Sequence, residues 1–141
     1  MSRPLHAAAR AINLQPLVGS RLTGFALRFE PSIGIHDPLM ARLLLLDDGD
    51  TPLVWISCDL IGLDPADDAR LRQQIADRLS MPAGNVLISC THTHGGPCSM
   101  PFRGILRQVG RAWLDRTFAA IADGAATLPQ RLRRARLAHG Q

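Results

Sequence analysis

Along this chain, short runs of continuous apolar residues alternate with stretches in which apolar residues return every three or four positions. Ile12 and Leu14 alternate with polar neighbours, which predicts a short strand stopped by Pro16. From Gly19 to Pro38 the chain holds Gly19, Gly24, Pro31, Gly34 and Pro38 around Phe25 and Phe29, a long loop or a loop around one short strand. Loops of this length in compact domains tend to be functional or mobile. Arg42 to Asp50 reads as a strand whose Leu43-Leu44-Leu45-Leu46 runs into the turn Asp47-Asp48-Gly49-Asp50. A second apolar run, Leu53-Val54-Trp55-Ile56-Ser57-Cys58-Asp59, pairs with it as a β-hairpin. Unbroken apolarity in both runs predicts a sheet covered by helices on each side.

The period then changes. Asp64-Pro65 is a helix start, with an acid at the N-cap and proline at the first helical position. Asp67 and Asp68 complement the helix dipole, Leu71, Ile75 and Leu79 form one stripe, and Met81-Pro82-Ala83-Gly84 ends the helix. Asn85 to Thr91 is the next strand, so strand, helix and strand form a right-handed βαβ unit with parallel strands. Phe102, Leu106, Val109, Trp113, Thr117, Ala120, Ile121 and Gly124 share one face of a long amphipathic helix that ends before Pro129. Arg103, Arg107 and Arg111 lie on another face, and Arg134 to Gln141 reads as the start of a further strand. The fold class is α/β: a mixed sheet with a β-hairpin, a βαβ unit and a long amphipathic helix, in an incomplete domain.

Composition narrows the classes. At 141 residues, 46% hydrophobic and 20% charged, the chain is globular and fits one domain. No stretch approaches the roughly 18 apolar residues of a membrane span. The start, Met1-Ser2-Arg3-Pro4-Leu5-His6-Ala7, has no apolar core of signal-peptide length, so the chain as written is cytoplasmic, with a secreted or periplasmic location left open. Cys58, Cys90 and Cys98 form no C-x-x-C pair and are odd in number, against both a disulfide framework and a thiolate zinc site. All 16 basic residues are arginine, and Glu30 is the sole glutamate. Residues 103–141 carry a net charge of +6 and residues 1–102 a net of −2. A basic end suggests nucleic acid, but Arg131, Arg133, Arg134 and Arg136 lack interleaved aromatics and read as a solvated face.

The candidate chemistry lies in Thr91-His92-Thr93-His94-Gly95-Gly96-Pro97. If Val86 to Thr93 is extended, His92 and His94 point to one face, about 7 Å apart at the rim of the sheet. Asp59, at the carboxyl end of the neighbouring strand, is placed to orient an imidazole or to help bind a metal; capping a turn is the plainer role. His36 closes the long loop and can reach the same rim. Neutral imidazoles suit zinc, which activates water or polarises a carbonyl when one coordination position stays open. No G-x-S-x-G elbow, phosphate loop or H-E-x-x-H is present.

Several stretches resemble the amino-terminal part of the neutral/alkaline, non-lysosomal ceramidase family, more closely its short bacterial relatives. They are Leu22-Thr23-Gly24-Phe25, Gly34-Ile35-His36-Asp37-Pro38-Leu39-Met40-Ala41-Arg42, Leu46-Asp47-Asp48-Gly49, Ser57-Cys58-Asp59-Leu60-Ile61-Gly62 and, above all, Asn85 through Pro97. The family signature T-H-T-H-S-G-P has Gly95 in place of its serine, and the family's I-T-P-P-like segment is Asn13-Leu14-Gln15-Pro16. The resemblance implies that residues 1–141 are the amino-terminal segment of a hydrolase domain that cleaves the amide of N-acyl sphingosines. It further implies zinc held by two histidines, a glutamate and a tyrosine. His92 would be one ligand, and His94 would contact the substrate or the developing oxyanion.

By the same resemblance, the other ligands belong to regions later than Gln141, and this chain holds no tyrosine. The expectation is therefore a ceramidase-like zinc amidohydrolase segment, inactive alone, with uncovered apolar surface and a tendency to self-associate. A non-catalytic metal-binding or interaction module is the alternative, and an arginine-rich nucleic-acid binder a weaker one.

Overall fold

A computed structural model describes residues 3–101 and 109–138. The strands are β1 (His6–Asn13), β2 (Met40–Asp47), β3 (Leu53–Cys58), β4 (Val86–Cys90) and β5 (Arg133–Arg134); the helices are α1 (Pro65–Leu79) and α2 (Arg111–Ala126). They form one mixed sheet in the order β4-β3-β2-β1-β5. The β2–β3 hairpin is antiparallel with Leu43 opposite Ile56, and β3 and β4 run parallel with Ile56 opposite Ile88 across the α1 crossover. The expected hairpin and βαβ unit are both present. β1 extends well upstream of Ile12, pairing antiparallel with β2 from His6↔Asp47 to Asn13↔Met40. The three alanines Ala7, Ala8 and Ala9, weak strand formers alone, are held there by the partner strand.

Both helices pack on one face of this sheet. Ala41, Leu43, Leu45, Val54, Ile56, Cys58 and Val86 are buried against Leu71, Ile75, Leu114, Phe118 and Ile121. Along β2 and β3 burial alternates strictly at the core positions, so each run of apparent continuous apolarity has an inside and an outside. On the outer face Leu53, Trp55 and Leu87 are exposed, and the Trp55 indole N–H donates to the Ser89 hydroxyl at 3.1 Å. The prediction of helices on each side is therefore corrected: among the described residues one face is covered and the other is open. An unbroken run of leucines cannot report this, because hydropathy does not distinguish a buried outer face from an uncovered one.

Asp64 caps α1, its carboxylate accepting from the Asp67 N–H at 2.9 Å, and that bond holds the Asp64 carboxyl below the usual carboxylate range. The helix ends at Ser80, which adopts a left-handed conformation (φ +51) ahead of Pro82. Asp67 does more than complement the dipole. Its buried carboxylate accepts from Arg111 at 2.6 and 2.8 Å and from Arg70 at 3.0 Å, tying the start of α1 to the start of α2. Arg70 continues to Asp115 at 2.6 Å and lies over the Phe118 ring at 4.7 Å. α2 begins at Arg111; Val109 and Gly110 precede it without helical structure, and Phe102, Arg103, Leu106 and Arg107 lie outside the described residues. Arg131, Arg133, Arg134 and Arg136 are exposed at the β5 edge. No helix among the described residues is long and apolar enough to cross a membrane.

Because Asp67 joins two helices from a buried position and Asp115 sits at the exposed end of the same network, the two carboxylates differ in weight. Asp67→Ala should cost about 2–3 kcal/mol of stability in urea denaturation, and Asp115→Ala less than about 1 kcal/mol. Equal losses would contradict the arrangement.

Candidate active site

The parallel pairing of β3 with β4 sets Cys58 opposite Cys90, and one further bond, Thr91 N–H to Cys58 carbonyl at 2.9 Å, closes the ladder. Beyond it β3 turns, for the Leu60 N–H folds back onto the Cys58 carbonyl at 2.9 Å while the Asp59 N–H still pairs with the Met40 carbonyl of β2 at 2.8 Å. With no partner strand left, the chain after Thr91 is free to bend, and His92 adopts a left-handed conformation (φ +59). The expected extension to Thr93, with both imidazoles on one strand face, is thus replaced by a strand ending at Cys90 and a turn. A non-glycine residue in this region costs about 1–3 kcal/mol and persists where surroundings hold it.

One contact holds it: His92 Nδ1 lies 2.8 Å from the Ile61 carbonyl. A carbonyl oxygen accepts and cannot donate, so Nδ1 carries the proton, and in the neutral imidazole Nε2 keeps its lone pair. An imidazole fixed this way has the form in which histidine ligates metals. The His94 ring stands 5.1 Å from the His92 ring at 61°. The two histidines come together through a turn rather than through strand alternation.

The long loop supplies the wall behind them. Leu22 bridges Pro97, the Thr23 N–H donates to the Gly96 carbonyl at 3.2 Å, and the Cys98 N–H donates to the Arg21 carbonyl at 3.2 Å. Gly24, at φ +101, lies so close that a Cβ there would sit 2.3 Å from His94 Cγ. The Phe25 ring meets His94 edge-on at 5.0 Å. Arg28 donates to the Thr23 carbonyl and, at 2.6 Å, to the His94 carbonyl. Ser99, fully buried, donates to the Gly62 carbonyl at 2.7 Å and pins the segment that carries Ile61.

The other two sequence candidates, Asp59 and His36, lie beside the turn, a Cβ on Gly96 falling 3.9 Å from the Asp59 carbonyl oxygen, and their side chains make their own bonds. The Asp59 carboxylate accepts from the Met40 N–H at 2.9 Å and from Arg42 at 3.0 Å, an interaction directed along β2. The acceptor that orients His92 is instead a backbone group two residues further on, which leaves no side-chain signal in a sequence. His36 lines a cavity with Thr93 and Gly95, while its ring is almost wholly exposed and pairs with Asp37 at 2.6 Å. Cys58, Cys90 and Cys98 are free thiols. Burial pushes Cys58 up to about 12, with Cys90 and Asp59 adding to the shift, and burial raises Cys90 as well, so neither is a ready thiolate.

The cavity beside Thr93 and Gly95 encloses about 240 Å³. It shares Pro16, Leu17 and Ile35 with a larger cleft of about 860 Å³ between β1 and α2, lined on its far side by Trp113 and Ala120. A mainly apolar groove thus runs from the histidine turn under the long loop to α2.

No protein-family model matches the chain. Among solved structures, it superposes on the neutral ceramidase from Pseudomonas aeruginosa with a TM-score of 0.74 over 95% of its length, at 17% identity. It superposes on a ceramidase complexed with C2 with a TM-score of 0.68 over 94%, at 20% identity. The fold is that of a segment of neutral ceramidase. The chain covers 23% and 22% of those two proteins, less than a quarter of either. The motif resemblance of the histidine stretch and the superposition of the backbone agree.

Ceramidase resemblance implies zinc, and the donors present can be tested against it. His92 offers a bare Nε2 with its other nitrogen anchored. Among the described residues, however, no three of histidine, cysteine, aspartate and glutamate converge to hold a metal. The residues fit one ligand position and not a complete site, which needs three or four. The anchoring of His92 is itself measurable. Long-range proton–nitrogen NMR near pH 8 should find His92 in the Nδ1–H tautomer; the Nε2–H tautomer would show that the Ile61 contact does not hold in solution.

Proposed function

We propose that the chain is part of a zinc-dependent amidohydrolase of the neutral ceramidase kind, acting on the N-acyl amide of sphingosine-like lipids. The observation that carries the reading is the Ile61–His92 bond beside His94, on a backbone that superposes on ceramidases. In this reading His92 Nε2 supplies one zinc ligand. His94, two residues further along the turn, faces the carbonyl of the scissile amide. Bound zinc would contribute Lewis acidity toward that carbonyl.

The chain's own residues carry the remaining tasks. Gly24, Phe25 and His92 all pack against the His94 ring and limit its orientation, the preorganisation that a donor to a developing oxyanion needs. The groove past Pro16, Leu17 and Ile35 takes the acyl chain and excludes water beside the amide. Asp59 and His36 support the rim: Asp59 joins β3 to β2 through Met40 and Arg42, and His36 lines the cavity with Thr93 and Gly95. In this reading the single prepared imidazole among the described residues is one part of the catalytic site, and the tyrosine ligand of the resemblance has no counterpart in the sequence.

The shortage of metal donors is also the observation that favours a non-catalytic interaction module. The exposed Leu53, Trp55 and Leu87 of the open sheet face give such a module a surface for self-association. A lipid titration separates the two. Adding short-chain N-acyl sphingosines to the labelled chain should shift the amide signals of Leu17, Ile35, Thr93 and Gly95, more strongly as the acyl chain lengthens. Shifts confined to Trp55 and Leu87, or no shifts at all, would remove the substrate reading.

A further inference from the structure

Three separate contacts made by one side chain converge on His94. The Arg28 guanidinium donates through one nitrogen to the carbonyl of Thr23, in its own loop, and to the carbonyl of His94, 66 residues away. Its central carbon lies over the Phe25 ring, 5.1 Å from the centroid. Phe25 in turn meets the His94 ring edge-on at 85°. Gly24, between Thr23 and Phe25, is packed against the same imidazole. The backbone of His94 is thus held from one side of Arg28 while its ring is held by the aromatic under the other.

We propose that Arg28 is a positioning residue: it locks the loop of Thr23, Gly24 and Phe25 onto the histidine turn and thereby fixes the orientation of the His94 ring. The planar guanidinium suits this work, since it can donate to carbonyls in its plane and stack its face on an aromatic. A lysine ammonium can also donate to carbonyls, as a point charge, and cannot stack in the same manner. The role given to Arg28 rests on the reading of His94 as the residue that faces substrate. Ring geometry can be measured with neither zinc nor lipid, so its failure and the failure of that reading are separable.

The test is proton NMR on the whole chain, following the ring-to-ring cross peaks between Phe25 and His94 and, as an internal control, the His92 Nδ1–H signal. In Arg28→Ala the Phe25–His94 cross peaks should disappear while the His92 signal persists, and Arg28→Lys should restore them in part. Retention of the cross peaks in Arg28→Ala overturns the proposal. Joint loss of both signals also overturns it, because Arg28 would then support the turn as a whole. Should Arg28→Ala fail to fold, Arg28→Lys decides on the same pair of signals: weakened cross peaks with His92 intact support the proposal, and unchanged ones refute it.

Discussion

The parallel pairing of β3 with β4 governs this molecule. It needs a crossover, which α1 provides, and it brings two strand ends side by side although they lie more than thirty residues apart in sequence. One residue past the last ladder bond the strands diverge, and in the gap between them the Ile61 carbonyl meets the His92 ring. The left-handed turn at His92 and the bond that fixes its ring lie in that gap, and the long loop adds the contacts around His94. Open α/β sheets place ligands outside the carboxyl ends of their strands for the same reason.

The core that supports this rim is built on one side. α1 and α2 cover one face, linked at their starts by Asp67 with Arg70 and Arg111 and sealed by Phe118, Leu114 and Ile121. The opposite face presents Leu53, Trp55 and Leu87, and the long loop exposes Leu27, Phe29 and Ile33. Under the proposed function these are surfaces for further polypeptide to cover. The two ceramidase structures share this backbone within much longer chains, where further polypeptide is at hand to do so.

Much of this was legible in the sequence where local chemistry decides the outcome. Asp64-Pro65 marks the start of α1, the aspartate-rich turn marks the hairpin, and the change of period between Cys58 and Val86 marks the crossover. The histidine pair stands out by residue type alone. What the sequence withheld depends on backbone and on long-range packing. The Ile61 carbonyl has no side-chain signature. Strand alternation places His92 and His94 together only if the strand continues, and nothing local announces that its partner ends. Gly24 and Arg28 sit in a loop whose glycines mark flexibility, without revealing that one of them makes room for an imidazole. The open face of the sheet is invisible for the opposite reason: its leucines look the same covered or bare.

The proposed function turns on His92 as the one prepared zinc ligand among the described residues. X-ray absorption at the zinc edge, with the metal added below one equivalent, measures this directly. The expected spectrum has mostly oxygen neighbours from water and a single imidazole that vanishes in His92→Ala. A tetrahedral spectrum with three or more protein donors, or one unchanged by His92→Ala, would contradict the claim.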